Sequence, residues 1–203
     1  MAGSRLETGT KPTTIVAGAT ELKATVLGLK ATIRCESANV ENSSIDGNGT
    51  GQGQDLAKSI TFEKCSVTSP KGCATQNIKT VPVKSHLIIY TNATGEEKIG
   101  DLFEPTTGTE FTTITLEKNG TEECGLAATY PVKGKAVAEV SPEGVEATAG
   151  ELAFPTTPIA EVKKEGAAAE KVGLEIGSGN KASFSGKFNT KLVSGGKFGA
   201  FKT

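Results

Sequence analysis

Ser59-Ile60-Thr61-Phe62-Glu63-Lys64-Cys65 alternates from end to end. Successive side chains of an extended chain point to opposite faces, so Ile60, Phe62 and Lys64 share one face and Thr61, Glu63 and Cys65 the other. A period of two predicts a half-buried β-strand. The same signal recurs on both sides. Upstream lie Thr14-Ile15-Val16, residues 22–27 and Ala31-Thr32-Ile33-Arg34-Cys35. Downstream lie residues 81–91, 98–103, 110–117 and 133–140, then shorter pieces at 152–154, 159–162 and 172–176, and a last run at 182–193. Leu87-Ile88-Ile89-Tyr90 is apolar throughout, as in a strand covered on both faces.

Turn chemistry separates these runs. Asn119-Gly120 supplies the positive φ angles of a type I′ turn, which predicts a hairpin between residues 110–117 and a partner at 124–130. Residues 41–55 are rich in Gly, Asn and Gln and read as a flexible loop. Helical signals are weak: Lys163-Lys164-Glu165-Gly166-Ala167-Ala168-Ala169-Glu170 is short and interrupted by Gly166. The expected fold is all-β, an antiparallel β-sandwich or a barrel-like Greek-key domain stapled by disulfides. Residues 1–13 read as a polar N-terminal arm or vector-derived sequence, and 14–203 as a single β-rich domain. A shift toward Ala, Gly and Lys suggests a sub-boundary near residue 142.

The cysteines are Cys35, Cys65, Cys73 and Cys124. No Cys-x-x-Cys occurs and His86 is the lone histidine, so a zinc or redox motif has little to build on. Disulfides are expected, and with them an oxidising compartment. Four cysteines allow three pairings. Pro70 and Gly72 favour a turn between Cys65 and Cys73, so Cys65–Cys73 with Cys35–Cys124 is the preferred arrangement.

The core must be aliphatic, because aromatic residues make up 5% of the chain and Trp is absent. Few aromatics argue against a sugar-stacking lectin. Charge is balanced, with 22 Lys and Arg against 23 Asp and Glu. The lysines are scattered among glutamates, and Arg5 and Arg34 do not form a basic face, which argues against nucleic-acid or acidic-membrane binding. No apolar run reaches the roughly 18 residues of a membrane span. Met1-Ala2-Gly3-Ser4-Arg5-Leu6-Glu7 carries no hydrophobic signal region.

Candidate chemistry is sparse. His86 sits in a strand with no Gly-x-Ser-x-Gly elbow, and reads as a histidine on a sheet face. Glu96, Glu97, Asp101, Glu122 and Glu123 could supply a glycosidase carboxylate pair but read as solvated charge beside turns. Residues 47–53 lack the Lys-Ser/Thr of a P-loop. Asp46, Asn48 and Asp55 resemble a calcium loop only loosely. Asn42, Asn48, Asn92 and Asn119 stand in Asn-x-Ser/Thr sequons, which read as exposed loops. No catalytic residue, cofactor or metal ligand is assigned.

Thr32-Ile33-Arg34-Cys35, a polar loop, Ile60-Thr61-Phe62-Glu63-Lys64-Cys65, the short step to Cys73, Glu123-Cys124 and Val132-Lys133-Gly134-Lys135-Ala136-Val137 together resemble a group of uncharacterised secreted, β-rich, cysteine-containing proteins of soil actinobacteria. The resemblance covers roughly residues 31–141. It implies export from a Gram-positive cell and carries no activity and no site residues.

The expected function is that of a non-enzymatic extracellular or cell-surface protein, structural or adhesive. The expected partners are copies of itself, joined into a filament by strand addition through residues before Thr14 or Lys197-Phe198-Gly199-Ala200-Phe201. A polysaccharide-binding module or hydrolase acting on cell-wall or plant polymers is one alternative. A phage or capsid-type shell protein is another.

Overall fold

The computed structural model describes residues 9–47, 54–163 and 168–201, and among them the chain forms seventeen strands and no helix. In chain order these are β1 (Gly9–Val26), β2 (Leu29–Glu41), β3 (Ser44–Gly47), β4 (Gln54–Ala57), β5 (Ser59–Ser69), β6 (Cys73–Ala74), β7 (Ile78–Lys79), β8 (Val83–Thr91) and β9 (Glu97–Pro105). The remainder are β10 (Glu110–Lys118), β11 (Ala128–Gly134), β12 (Ala136–Ser141), β13 (Gly150–Phe154), β14 (Glu161–Lys163), β15 (Ala169–Lys171), β16 (Leu174–Ile176) and β17 (Asn180–Leu192).

Eight of these strands close a ring. β1 pairs with β3, β3 with β4, β4 with β8, β8 with β9, β9 with β12, β12 with β13, β13 with β17, and β17 returns to β1. Every pairing is antiparallel, which an even number of strands permits. Of the two expected architectures the chain adopts the barrel, and closure leaves the ring without an edge.

The wall continues beyond the ring because β1 and β17 are long. Past a bulge between Ala17 and Thr20 they go on pairing as far as Ala24 and Ala182. There β1 gains β2, which gains β5, while β17 gains β16, then β11 and β10. β6 and β7 span the gap between β10 and β5. The Thr112 hydroxyl donates to the Lys79 carbonyl over 2.7 Å, and the Val81 amide donates to the Phe111 carbonyl over 2.8 Å.

The disulfides are Cys35–Cys65 and Cys73–Cys124, which corrects the pairing expected from the turn at Pro70 and Gly72. β5 runs straight through that region to Ser69, so Cys65 faces its register partner Cys35 on β2 with 4.0 Å between Cα atoms. The turn instead delivers Cys73 to β6, on the β10 side, where Cys124 waits.

Other expectations shift for similar reasons. The hairpin after β10 is not a two-residue turn: pairing with β11 begins at Leu116 and Ala128, and the intervening chain swings aside to seat Cys124. The Asn119 amide donates to the Gly72 carbonyl over 2.9 Å, holding that excursion. The run at 133–140 splits into β11 and β12 at Gly134, whose φ is +110° and whose hydrogen-only side meets the backbone carbonyl of Gly173. Part of the stretch read as a loop at 41–55 is β3 and the start of β4, while residues 48–53 lie outside the described residues. Gly9–Pro12 pairs with β3 inside the ring. Near the C-terminus, the Gly144 amide donates to the Ala200 carbonyl and Phe198 bridges Ala147. The weakly helical run is β14, residues outside the described set, and β15.

The barrel interior is graded along its axis. At one end both disulfides pack with Val26, Ile33, Ile114, Leu116, Leu126 and Ile176. In the middle Phe62, Phe103, Phe154, Phe184 and Phe188 meet edge to face or tilted, with ring centres 5.0–6.4 Å apart. Full burial of a ring, as at Phe188, contributes roughly 1.5–3 kcal/mol, the half-buried rings less, with a further increment from the geometry. A separate cluster, Ile88, Tyr90, Leu102, Val137 and Val162, lies on the outer face of β8, β9 and β12 and is covered by β14. Lys135 pins β15 to this side by pairing with Glu170 and, at 3.7 Å, with Glu104.

Candidate functional site

The third zone of the interior is where polar chemistry appears. Alternation points Val83 and Ser85 of β8 inward and Lys84 and His86 outward. On β9 it points Ile99, Asp101 and Phe103 inward. On β4 it points Asp55, which stands opposite both Ile45 of β3 and Ser85 of β8, toward the same space. The sheet register therefore collects two carboxyls and a hydroxyl from three adjacent strands.

Asp101 is 1% exposed. The Ser85 hydroxyl donates to its Oδ2 over 2.9 Å, while its Oδ1 is buried with no hydrogen-bond partner. Burial pushes the Asp101 carboxyl up to about 7, against the pull of the Ser85 hydrogen bond. The Asp55 carboxyl is raised well above the usual carboxylate range, first by burial and then by the charge of Asp101. Two carboxyls facing one apolar space cannot both ionise cheaply.

Asp55 and Ser85 border a cavity of about 130 Å³ inside the barrel, and Asp101 is hydrogen-bonded to Ser85 beside it. Its walls are Ile15, Leu22, Ile33, Val40, Ile60, Leu152 and the phenyl rings, with Thr13, Ser43, Asp55, Ser85 and Thr190 as polar points. The Thr190 hydroxyl is buried with no hydrogen-bond partner. Lys84, the one basic residue along the cavity among the described residues, holds its Nζ 3.4 Å from Glu104 on the outer face of the wall.

Compared with protein-family models, with curated proteins and with solved structures, the chain matches none of them.

The other sequence candidates lie apart from this site. His86 is on the outer face of β8, one residue from Ser85 but across the wall from it. Glu96 and Glu97 border the β8–β9 turn, where Asn92 and Lys98 hold the Glu96 carboxyl below its usual range. Glu122 and Glu123 are exposed on the excursion before β11, and Lys118 pairs with Glu123. Asp46 and Asp55 face opposite sides of the β3–β4 ladder, and Asn48 lies outside the described residues. No group of three or more His, Cys, Asp or Glu among the described residues is placed to hold a metal ion.

Sequence reading named Asp101 and Asp55 separately and missed their convergence with Ser85. The signal for Asp101 is present: Ile99 and Phe103 flank it at two-residue spacing, which places a carboxyl on an apolar face. No comparable signal marks Asp55, which follows a polar, glycine-rich stretch.

Proposed function

We propose that this protein is a non-enzymatic extracellular barrel that holds a small apolar molecule in its interior. The observation that carries this reading is the cavity itself, enclosed by aliphatic side chains and the phenylalanine cluster. An engineered apolar cavity of roughly 150 Å³ takes up benzene, so a space of this size suits a single ring or a short chain. Two disulfides fit an oxidising compartment, which supports the extracellular part of the reading. The resemblance to exported actinobacterial proteins supports it as well. Titration with toluene, followed by methyl NMR, tests the binding. Shifts concentrated at Ile15, Leu22, Ile33 and Leu152 are expected, and unchanged spectra at saturating toluene would sink the reading.

A structural role through self-assembly is a second reading. One edge favours it: the outer side of β15, which among the described strands pairs with β14 alone. Fibres in negative-stain images of the purified protein would select this reading over the first.

A further inference from the structure

The proposed cavity has a chemical polarity, and its ligand class follows from that polarity. We infer that the barrel takes a small apolar amine, with its ammonium group between Asp55 and Asp101 and its hydrocarbon body among the phenyl rings. This rests on the reading of the barrel as a ligand carrier.

Two buried oxygens carry the argument besides the acidic pair. Asp101 Oδ1 and the Thr190 hydroxyl are each more than nine-tenths buried and lack a hydrogen-bond partner. Thr190 borders the cavity, and Asp101 stands on the same inward face of β9 as Phe103, which also borders it. Once ionised, Asp101 is an acceptor only, so the partner that Oδ1 then lacks is a donor. Among the described residues, Ser85 is committed to Oδ2, and Lys84 is held across the wall by Glu104. An alkylammonium brings up to three N–H donors and one positive charge. It supplies a countercharge to the carboxyl that ionises, offsetting the burial that raises both groups. Aromatic faces add a cation–π contribution, and Phe103 and Phe154, 5.2 Å apart between ring centres, stand on this side of the cluster. A neutral hydrocarbon would leave the buried oxygens without a partner, and a carboxylate ligand would add a third acid to the site.

The size of the cavity sets the probes, at roughly seven to nine heavy atoms. Benzylamine, toluene and benzoate are near-equal in shape and differ in the head group. Calorimetry and methyl NMR at pH 8 are expected to show benzylamine binding at least tenfold tighter than toluene, and benzoate not at all. Asp55→Asn and Asp101→Asn are each expected to erase that preference while toluene still binds. Asparagine keeps the side-chain shape, and retained toluene binding shows that the barrel is intact. Toluene binding as tightly as benzylamine would overturn the amine assignment and leave the apolar carrier standing. Benzylamine binding equally to the parent and to both variants would also overturn it. If none of the three probes binds, the carrier reading fails, and the amine with it.

Discussion

Ser85 donates its hydroxyl to Asp101 Oδ2 over 2.9 Å in the barrel interior, from neighbouring strands and against the pull of burial. The contact holds one carboxyl oxygen and leaves the other buried with no hydrogen-bond partner. Burial of the Asp101 carboxyl gives the fold a pH dependence, which this hydrogen bond moderates.

Folded Asp101 keeps its proton up to about pH 7, whereas an unfolded aspartate releases it near pH 4. The folded state therefore binds more protons between those values, and stability falls as pH rises through that window. Asp55, raised by burial and by Asp101, acts in the same direction. Urea unfolding of the parent is expected to lose roughly 2–3 kcal/mol between pH 5 and pH 8. Asp101→Asn, which removes one titrating group and leaves Asp55, should lose visibly less. An identical slope in the variant would remove Asp101 as the cause.

Thr190 buries a hydroxyl with no partner in an apolar wall. Valine has the same shape without the polar atom. Thr190→Val should stabilise the protein by about 1 kcal/mol, read as a higher urea midpoint at unchanged slope. A loss of stability would mean that the hydroxyl has a partner after all.

Cys73–Cys124 holds the excursion after β10 in place, and its cysteines are 51 residues apart. Cys35–Cys65, at a separation of 30, joins two strands that already pair along their length. Chain-entropy estimates give about 4 kcal/mol for each bridge, slightly more for the longer loop. Replacing Cys73 and Cys124 with serine should therefore cost more than replacing Cys35 and Cys65. Non-reducing peptide mapping should recover a linked fragment carrying Cys73 and Cys124. A fragment joining Cys65 to Cys73 would reverse the assignment.

Leu27 turns the β1–β2 hairpin at a φ of +50° and is 82% exposed. Leucine pays for the left-handed backbone and gains little burial in return. Asparagine tolerates that backbone, and Leu27-Gly28 occupies the two central positions of the turn. Leu27→Asn should raise stability by about 0.5–1 kcal/mol in thermal unfolding. No change, or a loss, would show that Leu27 makes a contact worth more than its strain.

The strands were largely legible because alternation is local. Residues 110–117 and 98–103 need no partner to be read as extended, and both became strands within a residue or two of their expected limits. Barrel or sandwich was not legible, because it depends on which strand meets which. Thr13 pairs with Leu192, and nothing in either neighbourhood names the other. The disulfides failed for the same reason: the turn residues near Cys73 were read correctly as a turn, but the register of β2 against β5 decides the partner of Cys65. The site sits between these cases. Asp101 is marked by its apolar neighbours, whereas its meeting with Asp55 depends on β4 and β9 flanking β8 in register.

The seam between β1 and β17 sets when folding can finish. Because the first and last long strands zip together, the cylinder stays split until nearly all of the described chain has left the ribosome. A nascent molecule is then a set of unpaired sheet margins, slow to organise and prone to stick to its neighbours. Oxidation of the two cysteine pairs then locks the closed cylinder in an oxidising environment.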